Sequence, residues 1–130
     1  MGIKGTGLLA DLLGQRWTIT SSPSAGATVT ASVSTGSSAE RITLDCLSYT
    51  FKNMSAGAFT CTTSVRDASV AGSVVASWQD VVATASSGGR HLDSLGISIA
   101  SGHSLFITQD TVLASVVASV NATGWTRKSK

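Results

Sequence analysis

From residue 41 to residue 67 the chain reads RITLDCLSYTFKNMSAGAFTCTTSVRD, with apolar and polar residues alternating on both sides of KNMSAG at 52–57. Successive side chains leave a strand on opposite sides, so a period of two marks a strand with one buried face. Two such runs joined by a short polar stretch read as an antiparallel hairpin, and that pairing is the expectation here. Within the first run the phase changes: Ile42 and Leu44 share one parity, whereas Leu47, Tyr49 and Phe51 share the other. One extra residue turns every later side chain over, which predicts a β-bulge near Asp45 and Cys46. On the return run Phe59, Cys61, Thr63 and Val65 share a face, and Phe51 and Phe59 are expected as a cross-strand aromatic pair.

The two cysteines fall on the two arms. A turn centred between Asn53 and Met54 sets Cys46 opposite Cys61 and leaves a disulfide geometrically open. The Phe51 and Phe59 register separates them, and reduced thiols acting as small apolar groups are the preferred reading.

The rest of the chain keeps the strand rhythm. WTITS begins at Trp17, the run at 27–34 puts Val29, Ala31 and Val33 on one face, and VVASWQDVV puts Val74, Ala76 and Trp78 on one face. Residues 86–89 (SSGG) are expected to break that run. Candidate strands follow at 95–100, 104–108 and 113–122; in the last, Val116, Val117 and Val120 also fit a helical face, and the β-branched content decides for a strand. About eight short strands with Gly and Ser turns and no βαβ spacing predict an all-β fold, a single antiparallel β-sandwich of jelly-roll type over residues 17–126. Leu47, Tyr49, Phe59, Val65, Trp78, Ile97, Phe106 and Val120 are the expected core. At 130 residues, one domain is long enough to bury that core without disulfides or metals.

Residues 1–16 read as a separate N-terminal arm. Leu8, Leu9, Leu12 and Leu13 line one side of a helical turn and a half, too short to hold by itself in water, where isolated helices need about 12–15 residues. These four leucines are the candidate assembly arm. Residues 127–130 read as a basic, solvated tail.

Charge excludes some classes. Charged residues make up 12% of the chain against an ordinary ~25%, and Ser plus Thr number 38 of 130, so the surface is polar but weakly charged. The net +2 is uneven: the first 16 residues contribute +1 and the last four +3, leaving −2 for the body. No specific nucleic-acid partner is expected from such a body. No apolar run approaches the ~18 residues of a membrane span, and no membrane partner is expected.

Nor does a catalytic pattern stand out. The only histidines, His91 and His103, lie among Gly and Ser in expected loops; a set such as Ser104, His103 and Asp110 arises by chance in so serine-rich a chain, and no Gly-x-Ser-x-Gly elbow exists. Metal-ligand spacing and phosphate loops are missing, so neither an enzyme nor a cofactor is expected.

Laid out as strands, residues 47–51 (LSYTF), 63–67 (TSVRD), 74–78 (VVASW), 104–107 (SLFI) and 119–125 (SVNATGW) give the chain a style that resembles the small β-sandwich structural proteins of tailed bacteriophage virions. The likeness covers about residues 40–125. It implies a non-enzymatic virion protein made in the host cytoplasm: a capsid decoration protein, a spike or fibre module, or a tail component, in a symmetric homo-oligomer with other virion proteins as partners. The alternative is a β-sandwich binding module for a glycan or host-surface ligand, with Trp125, Tyr49 or residues near His91 and His103 as contacts.

Overall fold

The computed structural model describes residues 14–21, 29–35, 38–54, 57–69, 71–110 and 116–128. They form β1 (Gln15–Ser21), β2 (Val29–Val33), β3 (Glu40–Asn53), β4 (Phe59–Asp67), β5 (Val74–Val82), β6 (Ser87–Leu92), β7 (Ile97–Ser98), β8 (Leu105–Asp110) and β9 (Val116–Lys128). One sheet runs β1-β9-β3-β6 with β7 also on β3, the other runs β2-β8-β4-β5, and every pairing is antiparallel. The chain crosses between sheets at most connections, which is jelly-roll wrapping. The fold is the expected all-β sandwich.

The expected hairpin does not form. β3 pairs with β6, β7 and β9, while β4 pairs with β5 and β8, so the two runs lie in different sheets. Asn53 makes the corner. Its side chain is buried and its Nδ2 donates to Gly57 O at 2.8 Å, while its backbone N–H donates to Ser86 O at 2.8 Å, tying this crossover to the one between β5 and β6. Phe51 and Phe59 therefore belong to opposite sheets and are not a cross-strand pair; the Phe59 side chain lies outside the described residues. Cys46 faces Thr123 and Cys61 faces Asp80, and the two are not joined in a disulfide.

The bulge is where the parity change put it. Leu44 pairs with Gly124 and Cys46 with Thr123, leaving Asp45 as the extra residue, and its carbonyl accepts a hydrogen bond from Leu95 N–H at 2.8 Å. By this device Ile42 and Leu44, then Leu47, Tyr49 and Phe51, all face the core.

Of the other expected core residues, Leu47, Tyr49, Val65 and Val120 are buried, and Trp78 and Ile97 are half-buried against the core. Phe106 is a correction. Its neighbours Leu105 and Ile107 point inward and are fully buried, so Phe106 turns to the outer face opposite Ser32 and Arg66. Val74 is also corrected: the register slips between Val65 and Arg66, Val75 is left unpaired, and Val74 is exposed instead of sharing the inner face with Ala76 and Trp78.

Three expected boundaries move. The strand candidate at 95–100 shrinks to the two residues of β7, and the SSGG break becomes the start of β6. Gly88 and Gly89 sit where side chains do not fit: a Cβ on Gly88 would lie 2.6 Å from the Phe51 ring, and one on Gly89 2.3 Å from Tyr49 O. At the far end, Arg127 and Lys128 belong to β9, opposite Arg41 and Glu40, and are not in a solvated tail. The leucines of the assembly arm lie outside the described residues.

Gly124 in β9 carries the strictest packing demand among the described strand glycines. A Cβ there would stand 2.1 Å from Thr43 O and 2.4 Å from the Trp17 ring, which covers the glycine from β1. Gly124→Ala is expected to lower stability by about 1–3 kcal/mol through overpacking, more than the ~0.5–1 kcal/mol that alanine gains over glycine in a strand. Urea unfolding checks this, and an unchanged midpoint would contradict the packing.

Candidate functional site

The outer face of the five-stranded sheet concentrates the polar side chains. Inward residues of β9 are buried at every second position, which turns Val117, Ser119, Asn121, Thr123 and Trp125 outward. Beside them β3 presents Arg41, Thr43, Cys46, Ser48, Thr50 and Lys52. Hydroxyl pairs lace the strands: Thr43 Oγ1 lies 2.7 Å from Ser98 Oγ, and Thr50 Oγ1 lies 2.6 Å from Ser119 Oγ. Ser48 Oγ bonds His91 Nδ1.

Because Gly89 adds no side chain, β9, β3 and β6 leave an open groove of about 750 Å³ between Ser48, Thr50, Lys52, His91 and Ser119. A smaller hollow of about 240 Å³ adjoins it, lined by Cys46, Ser48, His91, Asn121 and Thr123. There His91 Nε2 lies 2.9 Å from Asp93 Oδ1, and Cys46 Sγ lies 3.4 Å from the same oxygen. Ser48, His91 and Asp93 thus touch in the order of a hydrolase relay. Two observations weaken that chemistry. The His91 and Asp93 side chains are 64% and 65% exposed, so water competes for the contact that would orient the ring. Ser48 is also laddered on both sides, to His91 and to Asn121, which commits the nearby backbone N–H groups that an oxyanion would need. Among the described residues, no group of three or more His, Cys, Asp or Glu is placed to hold a metal ion.

At the other end of this face, Arg16 and Trp125 stand opposite each other on β1 and β9. The Arg16 Cζ lies 4.5 Å from the Trp125 ring centroid and the Arg127 Cζ 5.5 Å from it. Arg41 faces Arg127 directly.

The remaining expected site residues are scattered. His103 is in a loop, 2.7 Å from Asp67 Oδ1, and Ser104 Oγ donates to Ser34 Oγ at 3.2 Å. The chance triad is therefore not assembled through these contacts; the Asp110 side chain lies outside the described residues. Tyr49 is buried and gives its hydroxyl to Asp80 Oδ2 at 2.7 Å, and Arg90 Nε donates to Asp80 Oδ1 at 2.7 Å. This bridge joins β3 and β6 to β5, clasping the open side of the sandwich. Burial, then the hydrogen bond to Asp80 and its charge, push the Tyr49 phenol well above its ordinary range. Tyr49 is thus a clasp between sheets and not an exposed ligand contact, while Trp125 and His91 do share the outer face. Sequence reasoning missed this cluster because Arg16 and Arg41 come from β1 and β3, far along the chain from Trp125, and Arg127 reads as part of a basic tail.

No family model matches the chain, and no curated protein matches it. Solved structures with a similar course include one described as "CBM4 structure and function", at a TM-score of 0.43 and 6% identity over 75% of this chain. The chain spans 59% of that structure's length. A pilus protein of Bacillus endospore appendages aligns at 0.38 and 16% identity over 88% of this chain and 87% of its own. The coat protein of Tobacco streak virus aligns at 0.36 and 12% identity over 85% of each chain. Scores this low carry no argument about function.

Proposed function

We propose that the chain is a non-enzymatic structural subunit of a bacteriophage particle, a decoration, spike, fibre or tail component that assembles as a symmetric oligomer. The observation that carries this reading is the edge strand β5. Among the described residues it pairs on one side only, with β4, and it exposes Val74, Val75 and Val81, the last at 76%. Monomeric proteins guard long edges with lysine, proline or bulges, since unpaired N–H and C=O groups recruit another chain. β5 has no Lys, Arg or Pro. Its one charge, Asp80, is held by Arg90 and Tyr49, and its bulge sits at the loop end, leaving residues 76–82 in unbroken register with β4. The weakly charged surface and the resemblance to phage structural proteins support the same reading.

Light scattering coupled to size-exclusion chromatography tests it. The full chain is expected to run as a defined oligomer, and Val75→Lys with Val81→Lys is expected to reduce it to monomer without unfolding it. A wild-type monomer at all concentrations would overturn the proposal, and mass spectrometry of purified particles checks the virion assignment. The groove beside Gly89 favours the second reading, a glycan or host-surface binding module. In that case the protein binds glycan as a monomer and loses binding with His91→Ala or Lys52→Ala.

A further inference from the structure

We propose that the outer face of the five-stranded sheet binds single-stranded nucleic acid without regard to sequence, through Arg16, Arg41 and Arg127 around Trp125. The site is assembled by register. β9 carries Trp125 and Arg127, β1 brings Arg16 opposite Trp125, and β3 brings Arg41 opposite Arg127. All three arginines are exposed, and two hold their guanidinium groups 4.5 and 5.5 Å from one indole ring.

A structural cation–π staple needs one cation, whereas this strip gathers three. Like charges directly opposite each other on neighbouring strands destabilise a sheet, and Arg41 and Arg127 are placed in that way. A polyanion relieves the repulsion. The other described arginines lie apart from this face, Arg66 donating to Gly72 O and Arg90 to Asp80, so three of the five arginines in the chain meet on this strip.

The ligand class follows from what accompanies the charge. Guanidinium groups hold phosphates, and with Arg16 and Arg127 over the Trp125 ring a base stacks on the guanidinium–indole assembly; together they form the platform of a sequence-tolerant single-strand binder. From this end the face continues through Thr43, Thr123, Asn121 and Ser119, whose hydroxyl and amide groups serve phosphate and sugar oxygens. It closes at exposed Lys52, opposite Val117. Ten residue steps along β9 from Arg127 to Val117 give a strip of about 33 Å. Phosphate contacts and ring stacking carry no base identity, which is why the binding is indifferent to sequence. The site is independent of the β5 edge, which belongs to the other sheet, so it stands or falls separately from the assembly reading.

Fluorescence anisotropy with the full chain and a labelled oligothymidylate tests it across salt concentrations. With about three phosphates neutralised, the logarithm of affinity is expected to fall with the logarithm of salt at a slope of about −2, which weakens binding about twenty-fold between 50 and 200 mM salt. Arg41→Gln with Arg127→Gln is expected to bring the slope to about −0.7 and weaken binding at least ten-fold for any base composition, with an unchanged circular dichroism spectrum. If that double variant does not fold, Arg41→Gln alone, at an exposed position, is expected to bring the slope to about −1.4. Trp125→Leu is expected to weaken oligothymidylate binding and leave binding of a heparin oligosaccharide unchanged. The proposal is overturned by no binding at 50 mM salt, by affinity indifferent to the arginine changes, or by heparin and oligothymidylate binding alike with no effect of Trp125→Leu.

Discussion

Leu47→Ala is expected to cost about 2–5 kcal/mol, the range for removing a buried leucine side chain when the surroundings only partly collapse. Leu47 is fully buried on β3, with Ala122 of β9 on one side and Leu92 of β6 on the other. It is also the first inward residue after the bulge, so it reports on the phase that the bulge sets. Trp78 provides the comparison. A fully buried tryptophan loses about 3–5 kcal/mol on truncation to alanine, but Trp78 sits half-buried on the edge strand β5 and is expected to lose only about 1.5–3 kcal/mol. Chemical denaturation of the two variants side by side checks the order. A larger loss at Trp78 than at Leu47 would mean that the centre of the core lies toward β5 and not beneath β3 and β9.

The second large effect appears in alkali. Tyr49 is the only tyrosine in the chain, so phenolate absorbance reports this one group. Its pKa in the folded protein lies above the unfolded value of ~10 because burial and the Asp80 carboxylate both oppose a second negative charge. Between the unfolded and folded values the unfolded chain has released this proton and the native protein retains it. The unfolded state then binds fewer protons, and stability falls as pH rises. The contribution is complete below pH ~10 and is lost above it. The phenolate signal is therefore expected to emerge together with unfolding, as a steep transition well above pH ~10, and Tyr49→Phe should remove this part of the alkaline loss. The same variant removes a hydrogen bond to a charged group, worth about 1.5–3 kcal/mol near neutrality. An ordinary titration near pH 10 in a protein that stays folded would show that the clasp between Tyr49 and Asp80 is open in solution.

Alternation along the chain established the buried faces of β3 and β9, and it failed at β8, where Phe106 turns outward between buried Leu105 and Ile107, and at Val74 of β5. The phase change at Asp45 located the bulge, because the side-chain period of a strand is two and one extra residue has no other regular outcome. The β-branched residues of 116–120 decided for β9 against a helix, and the low charge with many hydroxyls predicted a polar, weakly charged surface.

The choice of neighbours was made only in three dimensions. A hairpin and a sheet-switching corner leave the same local pattern, strand, short polar stretch, strand; what separates them here is Asn53 buried at the crossover, and β9, long enough to ladder β3 from Glu40 to Asn53. The same distant pairing put Cys46 and Cys61 in different sheets, made Gly88 and Gly89 part of a strand because Phe51 and the Tyr49 carbonyl fill the space above them, and brought Arg16, Arg41 and Arg127 around Trp125. Alternation is written residue by residue by whether a side chain prefers water. Pairing depends on the length and shape of a partner that lies as far as 111 residues along the chain, as Gln15 lies from Thr126, and no local window contains that partner.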